Sequence, residues 1–444
     1  MIFSAQYRQH YKSTFWLAYP VVLSQLGHIL VSVADSVMAG RLGTLQLAAA
    51  SLGNSIFTII LVFGLGISFS ITPLVARADG RKNHTRIALI LLNGLFLNTI
   101  MGVLLFLLFY AIAPFIQHLN QPVDVVKLAL PYVKILFLSM VPLMVFQAFK
   151  QFAEGLSLTK QSMFISIFAN VLNVGLNYLL IYGKLGFPAL GLNGAAWATL
   201  ISRIVMALMM AAFIFYSSRF VRYRHFLHRQ SLSLTHMVKL FKLGFPISLQ
   251  MLFEMGAFGF SAIMIGWLGA RELAAHQIAL NIASVTYMMA SGISAAATIR
   301  VGRLRGLGDH HGVHEAGYSS LIMGALFMAA SATLIILAKD LIPLFYVQDV
   351  AVHKLAAQLL IIAAIFQLSD GVQVVGLGAL RGLEDVRVPS MISLFSYWLI
   401  ALPTGYALGF WAGLGAIGIW LGLFTGLTIA ALLLFFRFKK FSPA

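Results

Sequence analysis

The chain has 444 residues, of which 60% are hydrophobic and 10% charged, and its mean hydropathy is +0.92. About a quarter of the residues of a soluble domain are charged, so this composition excludes a soluble globular fold. The absence of cysteine excludes disulfides and thiolate chemistry. The formal net charge of +17 alone is compatible with a nucleic-acid partner, but its distribution along the chain indicates another origin.

Twelve apolar stretches of membrane-spanning length follow one another along the chain. A helix needs about 20 apolar residues to cross the hydrocarbon core of a bilayer. The first stretch is longer than a signal-peptide core and no small-residue cleavage site follows it, so we expect it to be retained. The sequence therefore predicts an all-α polytopic membrane protein with spans at residues 13–38, 46–73, 87–114, 126–150, 161–183, 192–216, 239–266, 272–299, 315–341, 354–379, 389–411 and 414–437.

Basic residues collect in alternate loops. When each basic residue near the end of a predicted span is counted with the adjacent loop, 22 of the 30 Lys and Arg residues fall on the side of the N-terminal tail and 7 on the opposite side. Arg203 is the one that remains within a span. The positive-inside rule then predicts that both termini are cytoplasmic, which requires an even number of spans. We interpret the basic loop at residues 219–229 as lying on anionic lipid, so the expected partner is the bilayer and not nucleic acid.

The sequence repeats itself at a constant offset of 226 residues, which aligns Gly40 with Gly266. The motif Gly-Arg-Leu-Gly at residues 40–43 returns as Gly-Trp-Leu-Gly at residues 266–269, within a long ungapped match. Each repeat holds six predicted spans, so both insert with the same orientation. Two parallel six-helix, pseudo-symmetric lobes are an architecture of secondary transporters.

The repeat also sets the predicted domain organisation. Pro20 and Pro246 occupy matched positions in the first helix of each repeat, and we expect them to act as hinges. The predicted units are an N-lobe at residues 1–217, a cytoplasmic inter-lobe loop at residues 218–238 and a C-lobe at residues 239–444.

Three carboxylates lie within predicted spans and not among the two residues at either end of a span: Asp35, Glu254 and Asp370. A charge at the bilayer centre costs about 3 kcal/mol or more, so such residues are functional candidates, although snorkelling or a distant ion pair is an alternative. The repeat aligns Glu254 with His28 and Asp35 with Ser261, which indicates that the halves divide their tasks. A carboxyl group facing a cavity can hold a proton or, with further oxygen ligands, Na⁺. An organic cation competing for the same groups would give obligatory exchange.

Polar side chains at helical spacing accompany the carboxylates. Asn170, Asn173 and Asn177 are three and four residues apart, so they share one helix face. Gln277 and Asn281 are again four apart in the eighth span. Both groups are candidate ion ligands, and interhelical hydrogen bonding is the alternative interpretation.

Residues 309–315, with the sequence DHHGVHE, are the one cluster that suggests metal chemistry. It follows a Gly-rich basic loop and lacks the spacing of a zincin helix, and the chain contains neither a Walker A nor a GxSxG motif. We therefore expect no catalytic residues, no transition-metal site, no cofactor and no enzymatic activity. An integral-membrane enzyme built on residues 310–314 is the competing hypothesis.

Three segments resemble multidrug and toxic compound extrusion (MATE) transporters, in particular the bacterial NorM-type branch. They are VADSVMAGRLG at residues 33–43, the run from GFPISLQMLFEMGAF at residues 244–258 to GWLGARELAAHQIALNI at residues 266–282, and QLSDGVQVVGLGALRGLEDVRVP at residues 367–389. The resemblance covers essentially the whole chain. It implies a monomer in the bacterial inner membrane whose lobes alternate access and export amphipathic organic cations in exchange for Na⁺ or, less favoured, H⁺.

The same resemblance implies two cation sites, which we transfer residue by residue. The C-lobe site comprises Glu254, Asp370, Gln277 and Asn281, and the N-lobe site comprises Asp35, Asn173, Asn177 and Thr199. Proton-linked relatives often carry an acid where this chain has Asn177, so the amide favours the C-lobe site and Na⁺. The alternative function is that of a lipid-linked precursor flippase of the wider superfamily, whose cavity should be lined by Arg and Lys.

Overall fold

The computed structural model describes residues 5–118, 122–221, 223, 226 and 232–442 of the chain. Within these residues twelve helices are long and apolar enough to cross a membrane. In chain order, α1 to α12 are Tyr7–Leu42, Thr44–Gly80, His84–Ile116, Val123–Gly155, Thr159–Tyr182, Leu192–Tyr216, Leu234–Leu268, Ala270–Leu307, His310–Ala338, Val350–Gly382, Arg387–Trp411 and Gly415–Phe441. The predicted all-α class and the twelve spans are confirmed, and the protein is a multi-pass membrane protein.

Several helices continue beyond the predicted spans because their polar ends remain helical. The clearest case is α8, which extends from Ala270 to Leu307, whereas the predicted span covers residues 272–299. The last turns of α10 likewise continue to Gly382 and carry Arg381 with them. Basic residues that the loop count assigned to connecting segments are thereby part of the helices.

By their internal contacts the described residues fall into two compact units. Residues from Leu23 to Ser248 form one, here called the N unit, and the residues up to Val22 with those from Leu249 onward form the other, the C unit. Helices α1 and α7 are each divided between the units. The last residues before the two boundaries, Val22 and Ser248, are equivalent positions of the sequence repeat. The predicted lobes, by contrast, keep both helices whole.

Two glycines explain why the first part of α1 packs in the C unit and the first part of α7 packs in the N unit. Within the N unit, a Cβ atom on Gly66 of α2 would lie 2.4 Å from the Cα atom of Ser248 on α7. Within the C unit, a Cβ atom on Gly292 of α8 would lie 2.4 Å from Cγ2 of Val22 on α1. The repeat aligns Gly66 with Gly292 and Val22 with Ser248. The missing side chains therefore allow the same close helix approach in both units.

The first turns of α1 are held in the C unit by Arg300 of α8. Its Nη1 atom donates to the carbonyl oxygen of His10 at 2.8 Å and to Oγ1 of Thr14 at 2.5 Å. Thr14 in turn lies 3.5 Å from the hydroxyl of Ser320 on α9. These bonds join residues that are almost three hundred positions apart in the chain.

The connections α1–α2 and α7–α8 are tight turns that only glycine accommodates. Gly43 and Gly269 have φ values of +145° and +148°, in the region that disfavours a side chain. A Cβ atom would also approach Oε1 of Gln46 to 2.5 Å and Oε2 of Glu272 to 2.6 Å. The repeated sequence motif thus encodes a repeated turn.

Three of the described helices, α2, α4 and α11, depart from regular α-helix within their length. α2 is interrupted between Thr44–Ser68 and Ile71–Gly80, and α4 between Val123–Leu138 and Met140–Gly155. α11 contains two π-helical segments, Phe395–Ala401 and Ala407–Trp411. Such π turns occur frequently at functional sites, and the first of these carries Tyr397.

Candidate cation sites

In the C unit, Glu254 on α7 and Asp370 on α10 are buried within range of each other's charge. Their exposed fractions are 7% and 5%, and the two carboxylates interact electrostatically. Two like charges in a water-poor interior repel strongly, which favours a compensating proton or cation between them. The structure therefore brings together the two acidic residues that were predicted from the sequence for the C-lobe site.

Hydrogen-bonding groups surround Glu254. Tyr397 of α11 and Gln250, one helical turn earlier on α7, are its side-chain hydrogen-bond partners. Tyr397 also pairs with the buried Gln373 of α10, whose Nε2 atom lies 2.8 Å and whose Oε1 atom lies 3.0 Å from the hydroxyl. Tyr287 of α8 lies where the charges of both carboxylates act on it. Four helices of one unit thus contribute to this acidic site.

Arg381 joins the acidic site from the C-terminal end of α10. Its Nη2 atom donates to Oε1 of Gln250 at 3.1 Å, and its charge acts on Glu254 and Tyr287. The loop count assigned Arg381 to a loop, whereas α10 continues to Gly382 and includes it. Helical periodicity could have found it, since Asp370 and Arg381 are eleven residues apart, about three turns on one helix face.

Gln277 and Asn281 share a face of α8, as their spacing predicts. Nε2 of Gln277 donates to Oδ1 of Asn281 at 3.0 Å, and both side chains are exposed. Within the described residues this is the one hydrogen bond that their side chains make. Neither side chain bonds to Glu254 or Asp370. Their role as ion ligands stays a prediction.

Gln367 is a polar residue that the sequence analysis did not select. It lies three residues before Asp370 on α10 and is fully buried. Both amide atoms lack a hydrogen-bond partner among the described residues. A buried unpaired amide costs about 1–3 kcal/mol, so its amide oxygen is a further candidate for contact with a cation.

In the N unit, the four predicted site residues form a hydrogen-bonded chain. Nδ2 of Asn177 donates to Oδ1 of Asp35 at 2.5 Å and to Oδ1 of Asn173 at 3.1 Å. Nδ2 of Asn173 approaches Oγ1 of Thr199 at 3.4 Å. The buried Oδ1 atom of Asn177 has no partner among the described residues, which leaves a free acceptor beside the carboxylate.

The asparagine face of α5 is directed at α1. A Cβ atom on Gly27 would lie 2.8 Å from Nδ2 of Asn170, and Asn177 bonds to Asp35 two turns further along α1. The glycine therefore gives the amide room. The predicted common face of the three asparagines matches this arrangement.

Arg203 of α6 also lies in the N unit. Its Nη1 atom donates to Oγ of Ser139 at 2.6 Å, and its guanidinium lies over the ring of Phe57 at 4.6 Å. The negative charge of Asp35 acts on it, as does Tyr132. Asp35 is thus the carboxylate that interacts electrostatically with Arg203. The sequence alone could not identify this partner.

The contacts of residues 309–315 are those of a helix start. Oδ1 of Asp309 accepts from the backbone N–H of Gly312 at 2.8 Å, and Nδ1 of His314 lies 2.6 Å from the carbonyl oxygen of Ser442. Glu315 lies 3.3 Å from His10 and 3.6 Å from His311. Within the described part of the chain, no group of three or more His, Asp or Glu side chains could hold a metal ion.

Duplicated membrane helices with carboxylates inside the candidate spans of each unit define a class of protein. Charged groups at membrane depth mark ion and substrate pathways, and parallel repeats of six helices are typical of secondary transporters. The fold and the two candidate sites place the chain in that class.

Comparison with known sequences identifies the family. The sequence model of the MatE family matches residues 20–179 and again residues 246–407, and these segments begin at the paired prolines. A multidrug resistance protein NorM of Burkholderia vietnamiensis is 36% identical over 436 residues, covering 97% of this chain and 94% of that protein. Its namesake in Photobacterium profundum is 33% identical over 437 residues, covering 98% and 96%. The chain belongs to the MATE family of transporters and is of the NorM type.

Solved structures agree on the fold. A crystal structure of a MATE protein in a bent conformation superimposes with a TM-score of 0.89 at 21% identity, covering 99% of this chain and 100% of that one. A transporter of the MOP superfamily from Pyrococcus furiosus gives a TM-score of 0.85 at 21% identity, and its binding pocket of reversed polarity is described as suggesting a different function. At these identities the likeness shows the fold alone.

Proposed function

We propose that this protein is a secondary active multidrug exporter, which exchanges organic cations for Na⁺ by alternating access. The observation that carries the proposal is the buried pair Glu254 and Asp370, because two neighbouring carboxylates in an apolar interior require a positive charge or a proton. A hard monovalent cation surrounded by carboxylate, hydroxyl and amide oxygens satisfies that requirement. An amphipathic organic cation satisfies it equally well, which makes the two ligands competitors.

The NorM names of the relatives support multidrug efflux as the task of this exchange. The amide of Asn177 in place of an acid supports Na⁺ over H⁺ as the coupling ion. Exchange of one Na⁺ ion for one monovalent organic cation moves no net charge, so the inward Na⁺ concentration gradient drives it. Each further cation that moves inward would add about 2.3 kcal/mol per 100 mV of membrane potential. Export against a gradient is therefore energetically accessible without ATP.

The division of α1 and α7 supports alternating access. Pro20 and Pro246 each stand two residues before the boundary at which their helix passes from one unit to the other. A proline inside a helix removes one backbone hydrogen bond and permits a kink. We propose that the two helices bend at these prolines when the transporter changes its state.

The same proposal includes the location of the protein, its partners and its oligomeric state. The basic loops support a bacterial inner membrane in which both termini are cytoplasmic. The partners are small organic cations and the lipid bilayer, the protein works as a monomer, and no cofactor or enzymatic step is required.

The test is ethidium efflux from reconstituted proteoliposomes, driven separately by a Na⁺ gradient and by a pH gradient. We expect efflux under the Na⁺ gradient, and Glu254→Gln and Asp370→Asn should each slow it by about tenfold or more. Each variant removes one of the two carboxylates that would hold the Na⁺ ion, and a loss of about 1.4 kcal/mol corresponds to a factor of ten. Asp124→Asn is the matched control, because this carboxylate is exposed in the first turn of α4.

Each alternative has its own outcome in this assay. Efflux under the pH gradient alone would replace Na⁺ by H⁺ as the coupling ion. Unimpaired efflux in both variants would refute the role of the acidic pair. Absence of ethidium transport combined with transport of a fluorescent lipid would support the flippase instead.

A further inference from the structure

Arg381 is a positive charge built into the acidic site of the C unit. Its guanidinium is tied to Gln250 by the bond of 3.1 Å, and its charge acts on Glu254. An arginine can only donate hydrogen bonds, so the amide oxygen of Gln250 faces Arg381. The amide nitrogen of Gln250 is then directed to Glu254, which is one turn further along α7. Gln250 therefore connects the cation to the carboxylate.

From this arrangement we infer that Arg381 is a specificity-determining residue, which limits the acidic site to one added positive charge. The inference rests on the proposed exchange of cations. With both carboxylates ionised, Glu254, Asp370 and Arg381 together carry a formal charge of −1. One Na⁺ ion or one monocationic substrate brings the site to neutrality. A dication would leave an uncompensated charge in an interior where such a charge is strongly disfavoured.

The position of Arg381 also keeps it from blocking the site. Along α10 it lies eleven residues from Asp370, a rise of about 16 Å, so the guanidinium is at the end of the acidic cluster nearer the cytoplasm. The intervening groups are Gln250 and Glu254. Arg381 thus contributes charge to the site from a position that is separated from Asp370 along α10.

The experiment compares two dyes that share one aromatic ring system: ethidium, with one positive charge, and propidium, with two. Their affinities are measured by fluorescence anisotropy with the purified full-length protein. For Arg381→Gln we expect the affinity for propidium relative to ethidium to rise by about tenfold, because the second charge no longer meets the guanidinium. Arg381→Lys, which keeps the charge, should preserve the wild-type ratio. Arg387→Gln is the matched control on an exposed arginine just beyond α10.

A structural role for Arg381 predicts different results. Equal weakening of both dyes in Arg381→Gln, or a lysine variant that behaves like the glutamine variant, would overturn the inference. The double variant Arg381→Gln with Asp370→Asn restores the formal charge of −1, and we expect its dye ratio to return to that of the wild type. A double variant that kept the ratio of Arg381→Gln would also contradict the charge rule.

The outcome separates this inference from the proposed function. If the wild-type protein moves neither dye under either gradient, the proposed exchange fails, while the affinity ratio still tests the charge rule. If the wild type transports ethidium and the dye ratio is unaffected by Arg381→Gln, the exchange stands and the inference about Arg381 is wrong.

Discussion

The bond between Asp35 and Asn177 shows how single residues make a charged group tolerable at membrane depth. Nδ2 of Asn177 reaches the carboxylate at 2.5 Å, and Asn173 accepts the second amide hydrogen at 3.1 Å. Hydrogen bonds to charged groups contribute about 1.5–3 kcal/mol, more than bonds between neutral groups. The carboxylate therefore depends on its partner for stability as well as for orientation.

A double-mutant cycle on this pair measures the dependence. Asn177→Leu should lower the free energy of unfolding by about 2 kcal/mol, because it leaves a carboxylate without its donor. With Asp35→Leu in place, the same change should have a much smaller effect. Thermal unfolding of the purified single and double variants in detergent provides the measurement. Additive effects of the two substitutions would show that the bond is energetically unimportant.

Sequence reasoning found some of these residues and missed others for a physical reason. Asp35, Glu254 and Asp370 were identifiable because a carboxylate in a long apolar stretch conflicts with its surroundings. Tyr397 was not, because an aromatic residue is ordinary in sequence and acquires its role only through packing between helices. Arg381 was missed because the loop count placed it beyond the span, although it shares a helix face with Asp370. Periodicity within one helix can be deduced from the chain, whereas the neighbour across a helix interface cannot.

At the scale of helices, glycine decides which segments approach closely. The backbone of Ser248 on α7 lies where a side chain on Gly66 of α2 would be, and the equivalent positions of the repeat, Gly292 and Val22, make the same contact. The sequence repeat predicted that these positions are equivalent. It did not predict that each glycine packs on the first helix of the other repeat, since equivalence does not specify the partner.

Two alanine substitutions should therefore have opposite effects. Gly66→Ala forces α2 away from α7 and should lower the free energy of unfolding by about 1–3 kcal/mol. Gly175→Ala, in α5, meets nothing within 4 Å and should stabilise its helix by up to about 1 kcal/mol. Unfolding temperatures of both variants and the wild type test this. A similar shift of the same sign in both would contradict the packing argument.

For the whole molecule, the class and the number of helices followed from composition and hydropathy, and the structure confirms both. The division of α1 and α7 between the compact units did not follow, because hydropathy treats each helix as an indivisible span. The orientation in the membrane remains a prediction from the 22 basic residues on one side against 7 on the other. It can be tested directly.

The absence of cysteine makes the topology test simple, since any introduced thiol is the single one in the chain. We expect Leu185→Cys, between α5 and α6, to react with a membrane-impermeant maleimide in intact spheroplasts. Leu232→Cys, before α7, should react only after the membrane is permeabilised, because that loop belongs to the basic side. Both positions are exposed, at 87% and 48%. The cysteine-free parent controls for background, and the reverse labelling pattern would show an inverted topology.

The anchoring of α1 by Arg300 has a consequence for the order in which the protein is made. His10 and Thr14 leave the ribosome first, yet the arginine that binds them follows 290 and 286 residues later. At about 5–20 residues per second, this interval lasts about 15–60 s. During that time the first turns of α1 are without these contacts. We therefore expect the N-terminal end of the chain to be more accessible to proteases until α8 has been made.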